Sequence, residues 1–231
     1  MTRAIEVPSL LSSSEFYLAS GTVTLDLVRH KVLVIRDRIS GTYSLPRGRK
    51  DWGETLEGTA ERETYEETGA RAKLLPVPLA TRSTPPQSRD PTHGPDQQAL
   101  ETAQIDTDVW RALLTEPAAL MQHFQPNGAL AVVLWYVAAA DSTLALACGT
   151  QMADENFESS WVDYDDAAGM MVNPEYAQVV RRALELVDTL ERTGPVSIDK
   201  LKAATMNGNG SNGTHFVGGG VQTSVLPAFS R

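Results

Sequence analysis

The sequence has very little cysteine and no long apolar segment. Its 231 residues include a single cysteine, Cys148, which excludes an internal disulfide framework and fits a reducing compartment. A membrane-spanning helix needs about 20 consecutive apolar residues, whereas the longest apolar run, residues 129–140, is shorter and strand-like. The N-terminus lacks the apolar core of a secretory signal. We therefore expect a cytoplasmic or nuclear protein that does not enter a membrane.

Positive charge is also scarce. The formal net charge of −9 argues against general electrostatic attraction to nucleic acid, so we expect no nucleic-acid partner. It does not exclude a phosphorylated substrate, because a metal ion and a local group of cations set the electric field in a cleft.

Cysteine and histidine often act in catalytic or metal-binding sites, but neither shows a pattern of that kind in this sequence. Cys148 ends the apolar stretch 144–148 with no base beside it, so we expect it to be buried by packing rather than to act as a nucleophile. His30 has no metal-binding partner at a suitable spacing and is expected in a turn.

One stretch, residues 48–70, does carry a strong pattern, beginning with an acidic helix. Thr55 suits the N-cap, and Gly69 suits the left-handed position just after a helix. Glu63, Glu66 and Glu67 then stand at i, i+3 and i+4, which brings their carboxylates onto one face. Like charges repel unless a cation lies among them, and Mg²⁺ prefers carboxylate, water and phosphate oxygens. The pattern favours half of a Mg²⁺–phosphate site over a solvated surface helix.

A glycine loop precedes this helix. Gly48 and Gly53 allow the backbone to approach a ligand closely or to offer a carbonyl to a metal. Arg47, Arg49 and Lys50 are candidate substrate-binding residues, because Arg holds phosphate bidentately and Lys acts as a point charge. The alternative, that Arg49 and Lys50 are only solvated loop charges, stays open.

The whole stretch resembles the Nudix box, Gly-x5-Glu-x7-Arg-Glu-U-x-Glu-Glu-x-Gly-U, where U is a bulky apolar residue. Its seven fixed positions are occupied by Gly48, Glu54, Arg62, Glu63, Glu66, Glu67 and Gly69. Thr64 and Ala70 stand at the U positions, where they affect helix packing rather than metal chemistry. Seven matches at fixed spacing are far more specific than a lone glycine motif. The resemblance implies an α+β fold, the Nudix α/β/α sandwich with a mixed central sheet.

The resemblance also implies a reaction. It is hydrolysis of a phosphoanhydride by attack of water on phosphorus, with Mg²⁺ as the cofactor and Mn²⁺ as an alternative metal. Glu63 and Glu67 would ligate the metal, and the Gly48 carbonyl would complete the shell. Glu66 would be a further ligand or would orient the attacking water.

Other residues would support these ligands. Arg62 would hold a glutamate in place, and Glu54 would form a salt bridge at the junction of loop and helix, with Gly69 ending the helix. Many Nudix proteins use an extra acidic residue outside the box, for which the candidates here are Asp154, Glu155 and Glu158.

The residues leading into the box, Leu45–Lys50, resemble those of Nudix proteins that act on diphosphoinositol polyphosphates and dinucleoside polyphosphates. A small, phosphate-rich substrate is therefore expected. ADP-ribose, NADH, CoA-type molecules and capped RNA remain alternatives. A Nudix domain that binds a nucleotide or a protein without turnover is a further alternative, although such domains usually lose box glutamates and this chain retains them all. The resemblance also leaves a homodimer open.

The remaining sequence divides around the box. We expect a flexible lead at residues 1–14, one Nudix domain at 15–193 and a low-complexity, mobile tail at 194–231. Within the domain, residues 81–128 form an insertion that is either a substrate lid or a passive loop.

Apolar patterns predict the other elements. Strands are expected at 20–28, 31–35, 72–80 and 129–138 and around Trp161. Short helices are expected at 108–114 and 117–124. A closing helix should begin at Asn173-Pro174, with Asn173 as its cap, and end near Arg192.

Overall fold

The computed structural model describes residues 10–83, 103–106, 109–153 and 155–193, with only the backbone described at 103–106, 109–112 and 193. Most of the predicted lead, the predicted tail and the part of the insertion at 84–102 lie outside the described residues. In chain order the elements are β1 (Phe16–Asp26), β2 (Lys31–Asp37), β3 (Tyr43–Ser44), β4 (Arg47–Arg49), α1 (Leu56–Thr68), β5 (Lys73–Leu74), β6 (Val77–Thr81), β7 (Ala103–Asp106), β8 (Val109–Leu114), β9 (Ala119–Phe124), β10 (Leu130–Ala139), β11 (Phe157–Asp163), α2 (Tyr164–Met170) and α3 (Pro174–Thr193).

A mixed sheet of eight strands forms the centre of the fold. Its main path runs β11-β2-β1-β10-β5, with β3 on β2, β4 on β1 and β9 on β10. The pair β1 and β10 is parallel over ten positions, from Phe16 opposite Leu130 to Leu25 opposite Ala139. A second sheet has the order β6-β8-β7. The predicted α+β fold with a mixed sheet is therefore confirmed.

The two faces of β1 carry different side chains, because successive residues of a strand point to opposite faces. Ser20, Thr22 and Thr24 are fully buried, and the Thr22 hydroxyl lies 2.7 Å from the hydroxyl of Thr64 on α1. On the opposite face, Val23 joins the main apolar core with α3 residues such as Val180. The sheet is thus covered by α1 on one face and by α3 on the other.

Helix α1 forms as its caps predict. The Thr55 hydroxyl accepts a hydrogen bond from the Gly58 N–H at 3.0 Å, and Gly69 has φ of 76° while its N–H donates to the Tyr65 carbonyl at 2.8 Å. Thr64 replaces the expected aliphatic residue without leaving a polar group unpaired, since its hydroxyl donates to the Ala60 carbonyl at 2.7 Å. A buried hydroxyl pair therefore fixes this helix on β1.

The prediction of short helices at 108–114 and 117–124 is wrong. Strand β8 pairs with β6 from Val77 opposite Leu114 to Thr81 opposite Trp110, and β9 pairs with β10. Runs of seven or eight residues are too short for apolar spacing to separate a helix from a strand. Here the free edge of β10 supplies backbone partners, and side-chain burial along β9 alternates, with Met121 buried and Leu120 exposed.

The prediction that Cys148 is buried is also wrong, because its side chain is exposed. The loop that carries it, between β10 and β11, is held by its backbone: the Ala147 N–H donates to the Gly69 carbonyl at 3.0 Å. Leu144 in the same loop is 48% exposed. An apolar stretch fastened by hydrogen bonds does not have to enter the core.

Two further local predictions are confirmed. His30 lies in the turn between β1 and β2 with a positive φ of 54°. The Asn173 side chain accepts a hydrogen bond from the Glu175 N–H at 2.7 Å and so caps α3. Among the described residues, no helix is long and apolar enough to cross a membrane.

Candidate active site

Strand β4 brings the glycine loop against α1. Its pairing with β1 places Gly48 opposite Ser20, and a Cβ atom added to Gly48 would lie only 2.0 Å from Glu63 Oε2. A side chain at position 48 would therefore displace the Glu63 carboxylate, which explains the glycine in physical terms.

The guanidinium of Arg62 joins the acidic residues of the box. Its Nε donates to Glu54 Oε1 at 2.8 Å, and its Nη1 donates to Glu63 Oε1 at 2.7 Å and to Glu66 Oε2 at 2.8 Å. Its Nη2 also donates to the Arg49 carbonyl at 2.9 Å. The hydrogen bond from Arg62 lowers the pKa of Glu54 to about 2. One arginine thus contacts three glutamates and ties β4 to the helix.

Glu63 and Glu67 are the buried carboxylates of the site, at 7% and 6% exposure. The Arg47 N–H donates to Glu67 Oε2 at 2.9 Å. Burial nevertheless raises the pKa of Glu67 to about 8, with further contributions from the charges of Glu155 and Glu63. Burial also raises the pKa of Glu63, against the opposing effect of Arg62. The positive charge of Arg62 and Arg47 therefore only partly compensates these two buried acids, and a cation would supply the rest.

Of the three acidic candidates outside the box, two lie among the described residues, and the structure brings one of these to the centre. Carboxylate oxygens of Glu63, Glu67 and Glu155 lie within 4.8 Å of one another. Glu158 lies on β11 and forms an ion pair with Arg36 at 3.7 Å, and Asp154 lies outside the described residues. Oxygen ligands from three carboxylates fit a hard divalent cation.

Glu66 has a different position from its neighbours. Its side chain is 32% exposed and is held by Arg62, and it is not one of the three acids whose oxygens converge. It is therefore accessible to water and substrate at the edge of the buried acids.

The three cations of the loop are separated by the structure. Arg47 lies on the face of β4 away from α1, where its Nε donates to the Tyr176 hydroxyl at 3.4 Å. The Arg49 guanidinium stacks over the Tyr17 ring at 4.2 Å from its centroid. The Lys50 ammonium donates to the Asp51 carbonyl at 2.9 Å.

Sequence reasoning missed the partners of these cations. Tyr17 precedes the part of β1 that alternation identified, and Tyr176 lies 129 residues from Arg47 in the chain. Only the strand pairing of β1 with β4 and the packing of α3 bring them together. Sequence reasoning also missed Gln151, whose Nε2 donates a hydrogen bond to the Glu67 carbonyl at 2.9 Å.

Taken together, the arrangement is suited to phosphoryl chemistry. Buried carboxylates can hold a divalent cation, which neutralises phosphate oxygens and lowers the pKa of a coordinated water. An accessible glutamate lies beside them, and Arg47 and Arg49 lie on the opposite face of β4. Nothing in the described part requires a covalent intermediate on the protein.

A family model and several solved structures are similar to this chain. The model of the NUDIX domain family matches residues 18–183, and hydrolases of that family generally use divalent metals. Solved structures with a similar fold include a NUDIX-family hydrolase from Clostridium perfringens, with TM-score 0.49 and 15% identity over 74% of this chain and 97% of that one. Two others are the dihydroneopterin triphosphate pyrophosphohydrolase of E. coli (TM-score 0.45, 13% identity, covering 75% and 98%) and an Ap4A hydrolase binary complex from C. elegans (0.43, 15%, covering 74% and 98%).

The assignment rests on the family model, which spans most of the chain, and on the box that the structure assembles around Arg62. The chain belongs to the NUDIX domain family and is a pyrophosphohydrolase of that family.

Proposed function

We propose that the protein is a Mg²⁺-dependent hydrolase of phosphoanhydride bonds in a small, phosphate-rich substrate, either a diphosphoinositol polyphosphate or a dinucleoside polyphosphate. The observation that carries the metal-dependent part is the convergence of Glu63, Glu67 and Glu155 within 4.8 Å. Glu63 and Glu67 come from one face of α1 and Glu155 from the loop before β11. Mn²⁺ would also fit these oxygen ligands.

In this proposal each residue has a defined task. Glu63, Glu67 and Glu155 hold the cation, together with the Gly48 carbonyl. Glu66 orients the attacking water and accepts its proton, while the water oxygen forms the new bond to phosphorus and the anhydride P–O bond breaks. Arg62 keeps Glu63 and Glu66 in place through its hydrogen bonds of 2.7 and 2.8 Å.

The cations of the glycine loop support a phosphate-rich substrate. Arg49 is stacked on Tyr17, which orients its guanidinium for bidentate phosphate binding. Lys50 follows it directly and offers a point charge, its ammonium donating to the Asp51 carbonyl at 2.9 Å. Arg47 is committed more firmly to the protein, because its side chain reaches Tyr176 and its N–H holds Glu67.

A panel of substrates tests the proposal. Phosphate and nucleotide release would be measured with Mg²⁺ from diphosphoinositol polyphosphate, diadenosine polyphosphates, ADP-ribose, NADH, a CoA-type molecule and capped RNA. We expect the highest kcat/KM for one of the first two and no turnover when EDTA removes the metal. Preference for ADP-ribose or NADH would replace the substrate assignment. Tight binding of one compound with no turnover of any would instead indicate a binding domain.

A further inference from the structure

The side chain of Gln151 makes hydrogen bonds to two separate parts of the active site. Its Nε2 donates to the Glu67 carbonyl at 2.9 Å and to the Phe157 carbonyl at 3.0 Å. Its Oε1 accepts a hydrogen bond from the Phe157 N–H at 3.1 Å. One amide therefore joins the C-terminal turn of α1 to the first residue of β11.

The contact with Glu67 uses a carbonyl that the helix cannot pair itself. The last four carbonyls of an α-helix have no partner within the helix, and α1 ends at Thr68. The Ser159 hydroxyl donates to the same carbonyl at 3.3 Å. Gln151 differs from Ser159 because it also holds the segment that carries Glu155.

The two ends of that segment, Gln151 and Phe157, are hydrogen-bonded to each other. The paired bonds with Phe157 bring residues 151 and 157 together, and within it the Met152 N–H donates to Glu155 Oε2 at 2.9 Å. The Glu155 N–H donates to the Met152 carbonyl at 3.1 Å. Glu155 thus lies in a short turn, and the side chain of Gln151 links the start of this turn to the Glu67 carbonyl.

We propose that Gln151 is a positioning residue that holds the 151–157 segment against α1, so that the Glu155 carboxylate meets those of Glu63 and Glu67. This inference rests on the proposed function, in which Glu155 is a metal ligand. Without the amide, the chain from Gln151 to Phe157 would lose both its closure and its tie to the helix. Glu155 would then occupy the metal-binding position only part of the time.

The test measures metal affinity directly, without turnover. The full chain is titrated with Mn²⁺ and the free ion is followed by electron paramagnetic resonance, for wild type, Q151A, E155Q and the double variant. Loss of a ligand or of its supporting partner typically weakens binding about 10- to 100-fold, so we expect E155Q in that range and Q151A about fivefold or more. The double variant should bind no more weakly than E155Q alone, because both changes remove the same contribution.

S159A is the matched control. It removes a donor to the same Glu67 carbonyl but leaves the 151–157 segment closed, so its Mn²⁺ affinity should stay within about twofold of wild type. The inference fails if S159A weakens Mn²⁺ binding as much as Q151A does. It also fails if the losses of Mn²⁺ affinity in Q151A and E155Q add up in the double variant. In either case Gln151 only caps α1. Thermal unfolding of each variant identifies any that does not fold, and Q151N then replaces Q151A.

The outcomes separate this inference from the proposed function. If wild type binds no Mn²⁺ and hydrolyses nothing, the proposed function fails. If E155Q weakens Mn²⁺ binding while Q151A does not, the proposed function stands and only the role of Gln151 is lost. If E155Q binds Mn²⁺ as wild type does, Glu155 is not a ligand and the inference falls with it.

Discussion

The two faces of the three-residue strand β4 differ in the charge found there: glutamates of α1 on one face and arginines of the strand itself on the other. On the face toward α1, Gly48 approaches the carboxylate of Glu63. On the other face, Arg47 and Arg49 lie against Tyr176 and Tyr17. The alternation of side chains in a strand produces this separation from consecutive residues. Metal chemistry and substrate recognition are therefore expected to respond to different substitutions, although the residues are neighbours in sequence.

The difference also limits how far the loop cations offset the acids, although the charge of Arg47 still lowers the pKa of Glu67 against the effect of burial. Only backbone groups of β4 reach the acidic side, where the Arg47 N–H donates to Glu67 and the Arg49 carbonyl accepts from Arg62. Arg62 is the side-chain cation that contacts the box glutamates directly. The buried pair Glu63 and Glu67 thus keeps a deficit of positive charge that a metal would fill.

The largest effect is expected on the acidic face, from E67Q. Removing one charged ligand from a buried metal site should reduce kcat by about 10³-fold or more while the fold stays intact. E57Q is the matched control, because Glu57 lies in the first turn of the same helix and is exposed. Steady-state hydrolysis with saturating Mg²⁺ measures both. Activity of E67Q near the wild-type value would remove Glu67 from the metal site.

G48A should have the next largest effect. The new Cβ would lie 2.0 Å from Glu63 Oε2, so the carboxylate must move, and we expect turnover to fall about 100-fold, as when a metal site loses its supporting geometry. G128A separates this effect from backbone strain, because Gly128 has φ of 85° and no neighbour within 4 Å. That variant should lose about 1–2 kcal/mol of stability and keep its activity. Equal losses of activity in the two variants would contradict the explanation.

A smaller effect, confined to binding, is expected from the loop cations Arg49 and Lys50. The double variant R49A/K50A should raise KM about tenfold for the most highly phosphorylated substrate and leave kcat within about twofold, since it removes contacts made equally in the ground and transition states. K73A changes a charge that is 78% exposed and paired with Glu61, and serves as the control. A uniform change for all substrates, or none, would show that these charges do not select the substrate.

The sequence predicts the acidic face better than the cationic one, for a physical reason. Helical periodicity and local caps place Glu63, Glu66 and Glu67 on one face without any knowledge of the sheet. The positions of Arg47 and Arg49 depend on the pairing of β4 with β1, and their aromatic partners come from distant elements. Local sequence patterns also cannot show that β8 and β9 are strands and not helices, because the neighbouring strands supply the backbone partners that decide between helix and strand.

The same reasoning applies to the acid outside the box. Three acidic residues close to one another in sequence were equivalent candidates, because spacing alone does not show which one turns toward α1. Between the two described candidates, the closure of the 151–157 segment favours Glu155, whereas strand pairing leaves Glu158 with Arg36. A glutamine in a loop carries no recognisable signal in a single sequence.

The smallest effect is expected on thermal stability, which should depend on pH because Glu67 ionises. Burial raises its pKa from 4.5 to about 8, so in the absence of a divalent ion the folded protein holds a proton that the unfolded chain releases. Between these two pH values the folded state binds more protons than the unfolded state, and stability falls as pH rises. The Tm of EDTA-treated protein should therefore decrease by a few degrees between pH 5 and pH 8, as calorimetry would measure.

Two comparisons assign this pH dependence to the acidic face. Saturating Mg²⁺ should remove most of the decrease, because the ion favours the charged carboxylates of the folded state. E67Q should show a shallower decrease without metal, with the remainder coming from Glu63, whose pKa burial also raises, whereas R49A/K50A should follow wild type. A wild-type slope in E67Q would mean that the charge deficit lies elsewhere in the protein, and the contrast between the two faces of β4 would lose its electrostatic basis.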